Sequence, residues 1–200
     1  MKNTTLSFYE NHALQFYHDT INVDMTDIYQ PFLHNLPKDA LHILNVGCGS
    51  GRDSRYFGDL GYYVTAIDGS QNLIDLAKNA NTPHIDWLCL NFGEIYQQDW
   101  QDKFSGIWAC ASLLHIPFDH LVNLINTLLN LLIENGIIYL SFKYGDQDRL
   151  KDGRYFCDMN DKRWSDINNH LNAQTIKTWI TRDNRKDRSE QWFNAILKKV

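Results

Sequence analysis

The sequence predicts a doubly wound α/β fold with a short helical segment in front of it, on three observations. From residue 41 onward, short apolar runs alternate with amphipathic stretches four or five times. Strand–helix alternation of this kind implies parallel strands joined by right-handed crossovers, with helices on both faces of the sheet. The first apolar run ends in a glycine-rich bend, Gly47-Cys48-Gly49-Ser50-Gly51. The last two apolar runs are separated only by a polar loop, Arg182 to Ser189, which predicts an antiparallel pair closing the sheet. One domain is expected over residues 1–200, with 1–40 as a helical lid on a core of 41–200.

Each element has a local reason. Ser7 and Glu10 form an S-x-x-E capping box, with Phe8, Phe16 and Tyr17 supplying one apolar side of a helix. A second helix starts near Thr26 and Asp27, runs through Ile28, Tyr29, Phe32 and Leu33, and is stopped by Pro37. Ile43 to Val46 is the first strand. Arg52 to Leu60 reads as a helix closed by Gly61. Tyr62 to Ile67 is a second strand ending at Asp68, and Ser70 caps a helix through Ala80. Ile85–Leu90 and Phe104–Cys110 are the third and fourth strands, and leucines at helical spacing mark a helix over Phe118–Ile133. Asn135-Gly136 turns the chain into a fifth strand, Ile137–Phe142. A helix over Asp161–Leu171 precedes two final strands, Thr175–Thr181 and Glu190–Lys198.

Composition narrows the classes. Of 200 residues, 44% are hydrophobic and 22% charged, which places the chain with globular proteins rather than disordered ones. A net charge of -5 argues against a nucleic-acid-coating role, which needs a positive field. The longest apolar stretch, Leu121–Ile133, is interrupted by Asn and falls short of the ~18–20 residues of a membrane span. Met1–Glu10 has no apolar h-region, and Cys48, Cys89, Cys110 and Cys157 form no C-x-x-C pair, so a cytoplasmic protein with reduced thiols is expected. The eight histidines are scattered without ligand spacing, so no metal is expected, and no G-x-S-x-G suggests a hydrolase.

The glycine bend carries the most specific signal. Ligands of such sheets sit at the carboxyl ends of the strands, and a glycine turn there admits ligand atoms close to the backbone. The spacing is G-x-G-x-G, whereas a dinucleotide fold shows G-x-G-x-x-G. Asp68 ends the second strand, where a carboxylate is placed to accept hydrogen bonds from ribose hydroxyls. A plain tight turn would explain the glycines alone, but not the whole order of strand, bend, helix, strand and terminal acid.

From about Leu41 to Val200 the chain resembles the class I S-adenosylmethionine-dependent methyltransferases. Gly-Cys-Gly-Ser-Gly-Arg-Asp-Ser-Arg-Tyr-Phe, Gly61-Tyr62-Tyr63-Val64 and the Arg/Asp-rich terminal hairpin look most like the small bacterial tellurite-resistance-type enzymes. The resemblance implies a Rossmann-like seven-stranded sheet of order 3-2-1-4-5-7-6 with the last-numbered strand antiparallel. It implies S-adenosyl-L-methionine as cofactor and S-adenosyl-L-homocysteine as product. Carried over by position, it implies that Gly47, Cys48, Gly49, Gly51 and Arg52 pack beneath the methionine and ribose. Asp68, with Gly69 and Ser70, would take the ribose and adenine edge, Asn91 and Phe92 would flank the adenine, and Ala109 to Ser112 would line the methionine side. One departure stands out: the family usually has an acid at the first motif position, and this chain has Asn45, which supplies no charge.

Methyl transfer is an in-line displacement from an activated methyl, so the protein mainly supplies alignment and a dry site. His115, after the fourth strand, is a candidate base, the alternative being a structural histidine at a strand–helix junction. The aromatics Tyr9, Phe16, Tyr17 and Tyr29 are candidates for covering the sulfonium through cation–π attraction, the alternative being plain helix packing, and Tyr17 and Tyr29 are preferred because they lie beside the polar connector Thr20–Thr26. Lys143 and Arg154 beyond the fifth strand, with Arg185, Lys186 and Arg188 in the terminal loop, suit an anionic acceptor. The expected activity is therefore methyl transfer to a small acceptor of oxyanion, thiol or carboxylate type. A cofactor-binding regulator without turnover is the alternative that Asn45 favours. A nucleic-acid methyltransferase is disfavoured, because the stretch after the fourth strand reads Ala111-Ser112-Leu113-Leu114-His115 and lacks the Pro-Pro-aromatic motif of amino-group enzymes. Neither a membrane partner nor an oligomeric state is indicated.

Overall fold

The computed structural model describes residues 4–79, 82–185 and 187–200. Lys186, and the end of the expected fourth helix at Ala80, lie outside them. Helices α1 (Thr4–Asn11), α2 (Ala13–Thr20) and α3 (Thr26–Asn35) lead into β1 (His42–Val46), α4 (Arg52–Asp59), β2 (Tyr63–Asp68), α5 (Gln71–Lys78) and β3 (Ile85–Cys89). β4 (Phe104–Ala109), α6 (Phe118–Leu131) and β5 (Leu132–Lys143) follow. A small hairpin, β6 (Asp148–Lys151) and β7 (Arg154–Cys157), precedes α7 (Asp161–Asn168), β8 (Ala173–Arg182) and β9 (Gln191–Lys199).

Seven strands form one sheet in the order β3-β2-β1-β4-β5-β9-β8. β1 to β5 are parallel, and β9 runs antiparallel to both of its neighbours. Counted within this sheet, β8 and β9 are its sixth and seventh strands. The central strands are buried on both sides, so their residues alternate between two apolar layers. Leu44, Val46, Ile107 and Ile138 pack with Leu121, Ile125, Leu128 and Leu129 of α6 and with Trp164 and Ile167 of α7. Ile43, Trp108, Ile137 and Tyr139 pack on the opposite face with Phe32 of α3, Phe57 of α4 and Ile74 of α5.

Four sequence expectations change. The first helix begins at Thr4, not after Ser7, and breaks at His12. Glu10 does not close a capping box on Ser7; its carboxylate accepts from Ser70 Oγ at 2.5 Å and Asn72 N at 3.4 Å, at the amino end of α5. Unpaired amides at a helix start attract an acid wherever the chain brings one. α6 ends two residues early because Leu132 already pairs with Phe104, and Asn135, at φ +62°, and Gly136 bend outward within β5. The β6–β7 hairpin, whose sequence shows no clear alternation, adds two strands between the fifth strand and the helix at Asp161; Gly153, at φ +73°, makes its turn.

Gly106 of β4 is the close-approach point for α3. A Cβ there would lie 2.6 Å from Leu36 Cδ2 and 2.7 Å from Phe32 Cζ. Overpacking of this kind costs roughly 1–3 kcal/mol. Gly106→Val is therefore expected to lower the urea midpoint at unchanged slope, and an unchanged midpoint would show that α3 yields freely.

Candidate cofactor and acceptor site

A cavity of about 540 Å³ opens at the carboxyl ends of β1, β2 and β4, between the sheet, α1–α2 and the β6–β7 hairpin. Its floor is the bend after β1. Gly47 and Gly49 adopt φ +73° and +53°. A Cβ on Gly47 would stand 2.5 Å from Ser112 Cβ, and one on Gly49 would stand 3.0 Å from the Phe16 ring. Only glycine fits both the backbone and the space.

Asp68 joins this bend to the next strand. Its Oδ2 accepts from Gly49 N at 2.9 Å and its Oδ1 from Ser70 N at 2.9 Å. Each oxygen keeps acceptor capacity for a ligand hydroxyl. Burial raises the Asp68 carboxyl above the usual range; the two amides oppose this and the nearby Glu10 charge adds to it. Gly69, Asn91 and Phe92 line the cavity beside it.

The sequence-predicted residues divide clearly. Gly47, Cys48, Gly49, Arg52, Asp68, Gly69, Asn91, Phe92, Ser112, His115, Lys143, Arg154, Arg185 and Arg188 all line the cavity. Tyr17, Tyr29, Gly51, Ser70 and Ala109 do not. Tyr17 projects from the other side of α2, its ring edge against His18. Tyr29 is buried behind the bend, stacked on Tyr56 and donating to Asp53 Oδ1 at 2.6 Å. Gly51 faces Trp87 and Ala77, so it lets α4 pack closely instead of meeting a ligand. Ser70 is the fully buried cap of α5, and Ala109 is enclosed in the core. Asn45 also points away, donating to Ser54 Oγ at 2.8 Å.

Of the four lid aromatics the sequence offers, Tyr9 and Phe16 reach the cavity and the preferred Tyr17 and Tyr29 do not, while Thr5, His12 and Thr20 were passed over. Thr5, Tyr9, His12, Phe16 and Thr20 line it, and their three- and four-residue spacing is one helical face. That periodicity would have selected Tyr9 and Phe16 over Tyr17. Asp53 was also missed. It is buried and accepts from Tyr29 Oη, from Arg52 Nε at 2.6 Å and from Trp108 Nε1 at 2.8 Å. Burial, the largest single influence, would raise its carboxyl, but the charge and bond of Arg52 together with the bonds from Tyr29 and Trp108 hold it below the usual range.

His115 is held at both nitrogens. Nδ1 lies 2.6 Å from the Tyr155 carbonyl, and Nε2 lies 2.9 Å from Tyr9 Oη. The carbonyl can only accept, so Nδ1 carries the proton and Nε2 accepts from the phenol. Burial, with Arg154 and Lys143 nearby, pulls the imidazole down to about 4. On the acceptor side, the Arg154 guanidinium lies 4.1 Å from the Phe8 ring centre, with Asp152 3.7 Å away. Its Nε is buried without a partner among the described residues. Lys143 meets Glu190 at 3.2 Å, Arg185 grips Asp183 with two bonds, and Arg188 lies 3.6 Å from Asp187. No cluster of three His, Cys, Asp or Glu side chains suited to a metal ion occurs among the described residues. No helix among them is long and apolar enough to cross a membrane.

The lowered His115 has a consequence for stability. The folded state binds its proton only near pH 4, whereas the unfolded chain binds it near 6.5, so stability falls as pH drops through that window. The loss amounts to roughly 3 kcal/mol. Urea midpoints from pH 7 to 4 should show this fall in the wild type and much less of it in His115→Gln. Parallel curves would contradict it.

Residues 43–136 match the family model described as "Methyltransferase domain". A ubiquinone biosynthesis O-methyltransferase of Coxiella burnetii is 38% identical over 79 residues, covering 38% of this chain and 33% of that protein. The chain thus spans about a third of that relative's length. The Burkholderia thailandensis 1,6-didemethyltoxoflavin-N1-methyltransferase, solved with S-adenosylhomocysteine, superposes at a TM-score of 0.73 with 18% identity, over 97% of this chain and 88% of that one. The [4+2]-cyclase SpnF superposes at 0.74 with 12% identity, over 96% and 94%. The chain shares its fold with solved methyltransferases, and its central residues, 43–136, are similar to a methyltransferase domain.

Proposed function

We propose that the protein transfers a methyl group from S-adenosylmethionine to a small anionic acceptor by in-line displacement. The carrying observation is the Asp68 carboxylate bonded to Gly49 N at the rim of the glycine bend. A diol-bearing ligand finds paired carboxylate oxygens there, and the missing Cβ atoms at Gly47 and Gly49 leave room for it. When bound, this donor supplies an activated methyl and a neutral leaving group. Asp68 with Gly69, Asn91 and Phe92 orients the adenosyl end; Gly47, Cys48 and Ser112 hold the methionyl side. Residues 41–200 act as the core, with α1 and α2 excluding water as a lid.

The acceptor class rests on Arg154, Lys143, Arg185 and Arg188 at one side of the cavity. Arg154 is the principal candidate, because the carboxylate beside it, Asp152, is exposed and 3.7 Å away. An oxygen acceptor, in line with the relative's name of O-methyltransferase, and an oxyanion of the tellurite type, in line with the sequence likeness, both suit this side of the cavity. His115 is the candidate base for an acceptor that arrives protonated. The fold does not choose the reaction, since a cyclase shares it, so a donor-binding protein without turnover is the second reading. Asn45 favours it.

Calorimetry is expected to show micromolar binding of S-adenosylhomocysteine, weakened at least tenfold in Asp68→Ala. No binding by the intact chain would refute the assignment. A donor-consumption screen over phenols, thiols, carboxylates and tellurite should yield turnover, and Arg154→Gln should then raise the acceptor KM about tenfold while leaving donor affinity unchanged. Tight donor binding with no methyl consumed anywhere would favour the second reading.

A further inference from the structure

We propose that a basic pocket adjoining the acceptor cavity takes a second anionic group of the acceptor, of the phosphate class, held by Lys143, Arg182 and Arg188. The inference rests on the acceptor reading above and deepens it, because it gives the acceptor a reacting end and a separate charged end.

A second cavity, of about 720 Å³, lies at the carboxyl tips of β5 and β8 and the start of β9. Lys143, Arg182, Asp183, Asn184, Arg185 and Arg188 line both cavities, so the two are continuous. Arg154 lines only the first. A chain of net charge -5 thus gathers Lys143, Arg149, Arg182, Arg185 and Arg188 around one hollow whose lining holds only two acids, Asp183 and Glu190.

These cations are not equivalent. Arg149 is gripped by Asp158 at 2.6 and 3.1 Å, and Arg185 by Asp183 at 3.1 and 3.0 Å. Asp183 also accepts from Trp192 Nε1 at 3.2 Å, and Asn184 Nδ2 donates to the Asp24 carbonyl at 2.7 Å. Those bonds frame the pocket, fastening the loop before β9 to the sheet and to the connector before α3. The other three cations are underpaired. Arg182 has no carboxylate within 4.0 Å among the described residues. Lys143 and Arg188 share Glu190, at 3.2 and 4.0 Å, and Arg188 otherwise meets Asp187 at 3.6 Å. Asp187 is 77% exposed, so solvent screens most of its charge. Lys143, Arg182 and Arg188 set against Glu190 leave two positive charges in excess. That excess matches the charge of a phosphate, about −1.5 to −2, better than the single charge of a carboxylate.

Lys143 joins the two cavities. Burial pulls its ammonium below the usual range, Glu190 opposes this, and Arg149 and Lys151 add to it. An anion settling beside it would offset the cost of that buried charge. The ammonium lies 5.2 Å from the Phe156 ring centre and 5.8 Å from that of Trp192. The Arg154 guanidinium also stands over Phe156, at 5.2 Å. One ring therefore spaces the cation of the reacting end from the cations of the charged end.

The test titrates inorganic phosphate and acetate into the full chain by calorimetry, at about 0.15 M ionic strength, where diffuse surface attraction is screened. Phosphate is expected to bind with a Kd of about a millimolar or below, and at least about tenfold more tightly than acetate. Arg182→Gln and Arg188→Gln should each weaken phosphate about five- to tenfold. Lys177→Gln, an exposed lysine elsewhere on β8, and Arg154→Gln, at the reacting end, should each change it by less than about twofold. Saturating S-adenosylhomocysteine should leave phosphate binding intact. In the donor-consumption assay, phosphate should raise the acceptor KM and leave the donor KM unchanged. Absent phosphate binding, or phosphate displaced by S-adenosylhomocysteine, overturns the proposal. So does a loss in Arg154→Gln without one in Arg182→Gln, which puts the anion at the reacting end. An equal loss in Lys177→Gln makes the attraction diffuse, equal affinity for acetate removes the phosphate class, and an unmoved acceptor KM separates the pocket from the acceptor; each overturns it too. The phosphate titrations need no donor, so a chain that binds phosphate at Arg182 but not S-adenosylhomocysteine keeps the anion site and loses the donor assignment.

Discussion

The Asp68 carboxylate is the pivot of the molecule. It ties the amide of Gly49, in the bend after β1, to the amide of Ser70, which starts α5. Two strand tips and a helix terminus are thereby locked at one corner of the sheet. The cost of burying a charge is partly offset by the two amides, and the same oxygens face the cavity. Glu10 extends the arrangement through Ser70 Oγ, so α1 is seated on the same corner.

From that corner α1 reaches across to the acceptor side. Thr5 Oγ1 accepts from Tyr155 N, Phe8 stacks beneath Arg154, and Tyr9 meets His115. A single helix thus spans the cavity from the Asp68 corner to Arg154 and His115. The β6–β7 hairpin, outside the main sheet, supplies the surface on which it rests. This explains why the pocket-facing groups of the lid are Thr5, Tyr9, His12 and Phe16, one helical face, rather than the aromatics nearest the connector. The charge distribution has a similar economy. Lys143 and Arg185 each meet a local carboxylate at 3.2 Å or less, whereas Arg154 keeps a buried Nε without a partner among the described residues.

Much of this was legible in the chain. Period-two and period-3.6 patterns identified the strands and helices of the core, because burial on both faces demands long apolar runs there. The bend and the terminal acid were legible because only glycine tolerates positive φ at such a crowded point. The β6–β7 hairpin was not, since a short exposed pair needs no alternation. Nor was the reach of Glu10 to α5, because side-chain capping across 60 residues leaves no local trace.

The sequence by itself determined the layered α/β architecture, the glycine bend and the acid beyond it, since these follow from local sterics and hydrophobic spacing. Tertiary structure alone decided which side chains face the cavity. It turned Tyr29 into a buried anchor, aimed Asn45 inward, set Asp53 against Arg52 and lowered His115 by burial. Those outcomes depend on distances between residues far apart in the chain, and on the loss of solvent around them, neither of which a linear pattern contains.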